Sequence, residues 1–577
     1  MRRLKATFAA LLSLAVFGSQ LQAAAPAPVA AQHGMVVSAH RLASQAGIDV
    51  LRRGGNAVDA AVAVAYALAV TFPEAGNIGG GGFMTIRMAD GRQSFIDFRE
   101  MAPGAATATM YQDQAGNVIP RLSTRGHLAV GVPGTVAGLE LARSTYGTRP
   151  RALLMAAAIA LASQGFVLDQ GDADMLADGA EDFAKDPASA AIFLNRGKLW
   201  HSGQRWVQAD LGRTLQAIAL GGNAAFYNGA IAAKIAASSK RHGGILTAAD
   251  FANYKAVTRQ PVECDYRGYH IVSAPPPSSG GIVICETLGI LEGYPMGSLG
   301  FHSAQGVHYT TEALRRAFHD RNINLGDPDF VKADVAKFTS KTYAAELRAG
   351  ISADLATPSA SLPGPAAAHE GKSTTHFSIV DAAGNAVSLT YTLNDWFGAR
   401  VTAEGTGILL NDEMDDFSAK PGFPNMYGLV EGTNNAIAPG KRPLSSMAPT
   451  IVTKHGQLVL VIGTPGGSHI PTGVLQVMMN VIDYGMTLTE AVDAPRIHAQ
   501  WLPDVIYYEK DALSVDTMAV LQDKGHKLEQ MTYWNQIAAI LVGGPALNVK
   551  PNAATGNKAR YYGAIDPRLP MGNALGY

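Results

Sequence analysis

Thr374 to Asn394 reads T-T-H-F-S-I-V-D-A-A-G-N-A-V-S-L-T-Y-T-L-N. Two runs rich in β-branched and aromatic residues flank Asp381-Ala-Ala-Gly-Asn385, which supplies Gly and Asn where a turn needs positive φ. The pattern predicts a β-hairpin. In its second run Val387, Leu389, Tyr391 and Leu393 fall on one face, and Ser388, Thr390, Thr392 and Asn394 on the other. A five-residue loop pairs Val380 with Ala386 and carries Thr374 opposite Thr392, with Cβ atoms roughly 4.5–5.5 Å apart. A four-residue loop shifts that register by one.

A threonine hydroxyl is a poor nucleophile, and no Ser-His-Asp arrangement is visible in this stretch. One remedy is to free the threonine's own α-amine as the base; its reference pKa of about 7.7–8.0 suits proton transfer near neutrality. That requires cleavage of the Ser373–Thr374 bond. On the pair alone, Thr-Thr is equally an ordinary way to open a strand.

The wider sequence decides between these. Thr374-Thr-His-Phe-Ser and Leu389-Thr-Tyr-Thr-Leu-Asn394 resemble the start of the small subunit of the γ-glutamyltranspeptidases, members of the N-terminal nucleophile hydrolases. So do Gly407-Ile-Leu-Leu-Asn-Asp-Glu-Met-Asp-Asp-Phe417, Lys441-Arg-Pro-Leu-Ser-Ser-Met447 and Gly463-Thr-Pro-Gly-Gly-Ser468. The resemblance spans nearly the whole chain after its first residues. It implies an α+β fold, a four-layer αββα sandwich, made as one precursor. The expected division is a signal peptide at 1–25, a large subunit at 26–373 and a small catalytic subunit at 374–577.

By the same resemblance, Thr374 is the nucleophile and Thr392 its neighbour, while Gly466 and Gly467 offer backbone N–H groups to an oxyanion. Arg99, Ser445 and Ser446 hold the substrate's α-carboxylate, and Asn394, Glu413 and Asp416 hold its α-ammonium. A zwitterionic head group needs donors on one side and acceptors on the other, and the planar fork of arginine grips a carboxylate bidentately. Residues 418–440, Tyr427 among them, resemble a lid loop. The implied reaction moves the γ-glutamyl group of glutathione or a related donor onto Thr374, and then to water, an amino acid or a peptide, with no cofactor and no metal. Asp395, Trp396 and Arg400 depart from the family pattern, on what is expected to be the acceptor side of the pocket. A related branch uses the scaffold as a cephalosporin acylase for glutaryl side chains, which lack the α-ammonium. The remaining alternatives are a secreted homologue that binds γ-glutamyl compounds without turning them over, and a structural protein.

Composition sets outer bounds. The chain has 577 residues, 47% hydrophobic and 16% charged, with net charge −1. No basic stripe or zinc-finger spacing is present, which argues against nucleic acid. Arg2, Arg3 and Lys5, the apolar run Phe8–Phe17 and Gln22-Ala-Ala-Ala25 read as a secretory signal, too short to span a bilayer. A periplasmic or secreted enzyme follows, with no membrane attachment once the signal is removed. Cys264 and Cys285 are either a disulfide or two buried thiols.

Local signals predict a helix capped by Ser38 that stops at Gly54-Gly55, and an all-apolar buried helix over 57–70. Gly76-Asn-Ile-Gly-Gly-Gly-Gly82 leads into a strand, so its glycines serve close packing rather than a dinucleotide. Residues 131–260 read as helical scaffold with a capping box at Thr247-Ala-Ala-Asp250. Residues 307–325 read as an amphipathic helix, and 352–372 as a linker ending at the cleavage site. Gly371-Lys-Ser-Thr374 imitates the end of a Walker A loop, but Ala366 stands where glycine is needed and a strand follows.

Overall fold

The predicted hairpin forms the centre of a seven-stranded antiparallel sheet. Its strands, Thr375–Val380 and Ala386–Thr392, pair with Val380 opposite Ala386 and Thr375 opposite Tyr391. The five-residue turn sets this register. Asp381 Oδ1 accepts from the N–H groups of Ala383, Gly384 and Asn385 at 2.9, 3.0 and 3.0 Å, and Gly384 takes φ +92°, which glycine adopts without strain. The computed structural model describes residues 27–362, 374–426, 429–531, 535–550 and 558–577. The expected signal segment, Ser373 and Tyr427 lie outside the described residues.

Met35–Ser38 flanks the hairpin on one side and Gly81–Arg87 on the other; Asn573–Gly576, Gln93–Phe98 and Val257–Arg259 complete the sheet. A second antiparallel sheet runs Val29–Ala31, Tyr561–Ile565, Ala538–Val542, Gln457–Gly463, Thr450–Lys454, Tyr269–Ser273 and Val262–Tyr266. The two lie face to face. Val37, Val380, Ile451, Val461 and Ile540 fill the space between them, while Ser378 Oγ donates to Ala538 O and Ser388 Oγ to Ile462 O, both at 3.0 Å. The hairpin's polar face therefore meets the other sheet rather than water, with its hydroxyls satisfied across the gap.

The apolar face, with Phe377, Ile379, Val387, Leu389 and Tyr391, packs under helices that include Ala57–Thr71. That helix is buried at every position, as its unbroken apolar run predicts. On the far side, Gly280–Leu291, Ala304–Asn324 and His469–Ile482 cover Val452, Leu460 and Ile462 of the second sheet. Helix, sheet, sheet, helix is the four-layer αββα sandwich. The hairpin lies between strands from the first hundred residues. A cut before Thr374 would thus leave two chains interleaved in one sheet, each buried Val, Leu or Phe worth about 1.5–3 kcal/mol.

Some local expectations change. Ser38 ends a strand; the cap of Arg41–Arg52 is His40, whose Nδ1 accepts from Leu42 N–H at 3.2 Å. The strand Met35–Ser38 was hidden because its partners are remote in sequence. The capping box at Thr247 and Asp250 is present. Ala304–Asn324 is not amphipathic toward water, since Glu312, Arg315, Arg316, Asp320 and Arg321 are all buried and engage ion pairs or hydrogen bonds inside the protein. Cys264 and Cys285 form a disulfide between the edge strand Val262–Tyr266 and the helix Gly280–Leu291. Among the described residues no helix is long and apolar enough to cross a membrane.

Candidate active site

Thr374 sits one residue before the first hairpin strand, and the register carries it across from Thr392. Their hydroxyl oxygens stand 3.4 Å apart, and both residues are buried. Thr374 has φ +155°, a conformation L-residues rarely adopt and one that stores strain at functional positions. Thr392 Oγ1 also accepts from Asn394 N–H at 2.8 Å, and Asn394, at φ +79°, turns its amide to donate to Asp412 O at 3.0 Å. The glycine run explains the tight fit behind these groups. A Cβ at Gly80 would meet Thr392 O at 2.0 Å, so only glycine fits there.

His376, two residues on, is the nearest imidazole in sequence but is engaged elsewhere. Its Nδ1 meets Thr390 Oγ1 at 2.8 Å and its Nε2 meets Ser378 Oγ at 3.1 Å. Burial pushes it down to about 3, leaving a neutral ring that ties strands together.

One pocket is lined by Thr374, Thr392, Arg99, Asn394, Glu413, Asp416, Ser445, Ser446 and Gly467. The expected residues thus converge, although they come from distant segments. Gly466 stands directly behind Gly467, with φ values of +127° and +55°. The pair lies just before the helix His469–Ile482, whose N-terminus adds a positive end to the loop. Ser445 is fixed by the 275–281 loop: its N–H donates to Pro277 O and its carbonyl accepts from Ser279 N–H, both at 2.8 Å.

The charges are arranged differently from the expectation of opposite sides. Arg99, immediately after the strand Gln93–Phe98, pairs directly with Glu413 through Nη1 and with Asp416 through Nη2. The three side chains are buried or nearly so, and Glu413 and Asp416 share one short turn, Glu413–Asp416. Burial raises the Glu413 carboxyl well above its usual range, with Arg99 opposing, and raises Asp416 against the same pull. Glu100, 3.8 Å from Arg99 Nη1, is raised to about 7, again chiefly by burial. The donor and acceptors expected to hold a zwitterion neutralise one another in the free protein.

Sequence reasoning missed Glu100, Arg321, Glu431, Leu444, Met447 and Ile470. Arg321, from the helix Ala304–Asn324, lines the pocket, donates from Nε to Ser279 Oγ at 3.2 Å and pairs with Glu431, inside the expected lid segment. The dense charges in that helix were the available signal; their burial was not readable. Asp395 and Arg400 do not line the Thr374 pocket. Phe397, Gly398 and Arg400 all take positive φ near 60°, and the chain turns Arg400 into a separate cavity.

The γ-glutamyltranspeptidase family model matches residues 43–571. The chain is 60% identical over 574 residues to the glutathione hydrolase proenzyme of Pseudomonas sp. (strain A14), covering 99% of each. It is 49% identical over 552 residues to the glutathione hydrolase proenzyme of Escherichia coli (strain K12), covering 95% of this chain and 93% of that one. Among solved structures, cephalosporin acylase from Bacillus halodurans superposes with a TM-score of 0.81 at 27% identity, over 97% of this chain and 98% of its own. Both sequence and architecture place the chain in the γ-glutamyltranspeptidase family.

Proposed function

We propose that this chain is a glutathione hydrolase proenzyme that cuts itself between Ser373 and Thr374 and then transfers γ-glutamyl groups through a Thr374 ester. The observation that carries this reading is the Thr374–Thr392 hydroxyl pair at 3.4 Å in the pocket that also holds Arg99, Glu413 and Asp416.

In maturation, Thr374 Oγ adds to the Ser373 carbonyl carbon and the peptide C–N bond breaks, leaving an ester and a free Thr374 amine. Water hydrolyses the ester, giving the Ser373 carboxylate and restoring the hydroxyl. In turnover the amine takes the hydroxyl proton as Oγ attacks the donor's γ-carbonyl carbon. Gly466 and Gly467 N–H groups steady the oxyanion. The amine then protonates the leaving amine, and water or an acceptor amine releases glutamate or a new γ-glutamyl compound.

A donor's zwitterionic head exchanges with the internal pairs. Its α-carboxylate takes Arg99, with Ser445 and Ser446, and its α-ammonium takes Glu413 and Asp416, with Asn394. Every buried charge keeps a partner in this exchange, which buried ions require. A glutaryl donor has a carboxylate but no ammonium; it would strip Arg99 from Glu413 and Asp416 and leave them unpaired. That favours γ-glutamyl donors over the acylase alternative. The retained hydroxyl pair favours an enzyme over a binding-only homologue.

The disulfide supports an oxidising compartment, in keeping with a periplasmic or secreted enzyme whose leader is removed near residue 25. The products of the cut are a large subunit ending at Ser373 and a small one running from Thr374 to Tyr577. The experiment is a denaturing gel of purified protein with mass spectrometry of both chains; two chains with Thr374 at one N-terminus support the reading, and a single chain active on γ-glutamyl donors overturns it.

A further inference from the structure

A second cavity, about 430 Å3 in volume, lies away from Thr374 and is lined by Arg121, Arg125, His127, Asp182, Lys185 and Arg400, among others. We propose that it binds a small di- or tricarboxylate.

Size is the first argument, since small-molecule pockets span roughly 300–1,000 Å3. Charge is the second. Four cations, Arg121, Arg125, Lys185 and Arg400, share the wall with two acids, Asp182 and Asp186. Asp186 is engaged in a helix cap, accepting from Ser189 N–H at 2.8 Å and Ser189 Oγ at 2.7 Å. Asp182 is divided among all four cations, 2.8 Å from Lys185, 3.2 Å from Arg400, 3.6 Å from Arg125 and 3.8 Å from Arg121. Two further carboxylates flank the wall: Asp395, 2.8 Å from Arg125 and 3.5 Å from Arg400, and Glu181, 3.1 Å from Lys185.

The cations are nevertheless not fully satisfied. Arg400 Nε and His127 Nδ1 are buried without hydrogen-bond partners, His127 being 4% exposed, and Arg125 Nε has only the 3.6 Å ion pair with Asp182. Buried polar atoms without partners are uncommon and mark strain or a missing ligand. The unmet arginine groups are N–H donors just under the surface, so the missing partner is an acceptor, which the two guanidiniums would turn to reach. Guanidinium forks match carboxylates bidentately. The cations come from three separate segments around the wall, at 121–125, 185 and 400, which suits an anion with more than one oxyanion head.

An occupant would compete with Asp395 for Arg125 and Arg400. Asp395 adjoins Asn394, and its own N–H donates to Asp412 Oδ1 at 2.8 Å. The cavity is thus placed behind the loop that carries a residue of the Thr374 pocket.

Isothermal titration calorimetry with citrate, on the purified enzyme at constant ionic strength, tests this. One citrate per molecule is expected, with affinity falling about tenfold or more in Arg125→Gln, the loss of one charge-assisted contact, and falling also in Lys185→Gln. Binding is expected to persist in Arg99→Gln, whose fold circular dichroism checks, because the two pockets are separate. Both cavity variants should keep γ-glutamyl turnover, which confirms that they fold. Citrate binding that is absent from wild type, unchanged in both cavity variants, or lost in Arg99→Gln overturns the proposal. Tighter binding of inorganic phosphate than of citrate overturns the carboxylate assignment.

Discussion

Arg99 and Asp416 form a buried ion pair between the end of the strand Gln93–Phe98 and a short turn more than three hundred residues later, and Glu413 takes the other arm of the same guanidinium. The free protein thereby holds these charges as an internal ion-pair cluster, and under the proposed assignment a zwitterionic donor exchanges with it, so that no ion is left unpaired.

Asp416→Asn tests that exchange. It removes one acceptor for the α-ammonium and loosens the hold on Arg99. Turnover of γ-glutamyl donors should weaken by about 2–5 kcal/mol in kcat/KM, the cost of deleting one partner of a desolvated pair. Glutaryl donors should be spared. Steady-state kinetics on both donor types decides, and equal losses would sink the assignment.

Glu100→Gln addresses pH. Burial raises the Glu100 carboxyl from 4.5 to about 7, so folding favours its protonated form. The stability this contributes is complete below about pH 4.5 and is lost as pH rises through about 7. The glutamine variant keeps a neutral side chain and should lose less stability than wild type across that window. Thermal melts from pH 4 to 8 give the comparison; parallel curves would show that Glu100 does not titrate there.

Glu431→Gln probes the connection from the lid segment to the pocket. The change leaves Arg321 buried without its carboxylate, and breaking such a pair costs about 3–5 kcal/mol. The melting temperature should fall, and the donor's KM should rise by a larger factor than kcat falls, because Arg321 also braces Ser279 beside Ser445. A lower melting temperature with unchanged KM would confine Arg321 to a structural role.

Thr392→Val keeps shape and β-propensity while removing the hydroxyl 3.4 Å from Thr374 Oγ1. If Thr392 orients the nucleophile, self-cleavage slows, and turnover per cleaved molecule falls by the worth of one hydrogen bond to a developing charge. That is about 1.5–3 kcal/mol, or about tenfold to a hundredfold. Circular dichroism confirms the fold. Wild-type turnover in the cleaved fraction would reduce Thr392 to a strand residue.

The hairpin was legible because a two-residue period and the turn residues Asp381, Gly384 and Asn385 are local signals; which threonines face each other followed only once the five-residue loop was seen. The buried helix Ala57–Thr71 and the glycine run were legible for the same reason. Met35–Ser38 was not, because what makes it a strand is its pairing with Ser378–Val380 and with Asn573–Gly576. The site residues were named through family resemblance, and the fold brings them together. Their mutual pairing was not foreseeable, since chain order does not show that Arg99 reaches both Glu413 and Asp416. Arg321 was missed because a charged helix reads as a solvated one until its burial is seen.

The central claim is that Thr374 makes its own N-terminus. Its most direct measurement is the intact mass of purified Thr374→Ala beside wild type. Wild type should give two chains, the smaller beginning at Thr374, and the variant one uncut chain. A variant that still splits between positions 373 and 374 would contradict self-cleavage by Thr374.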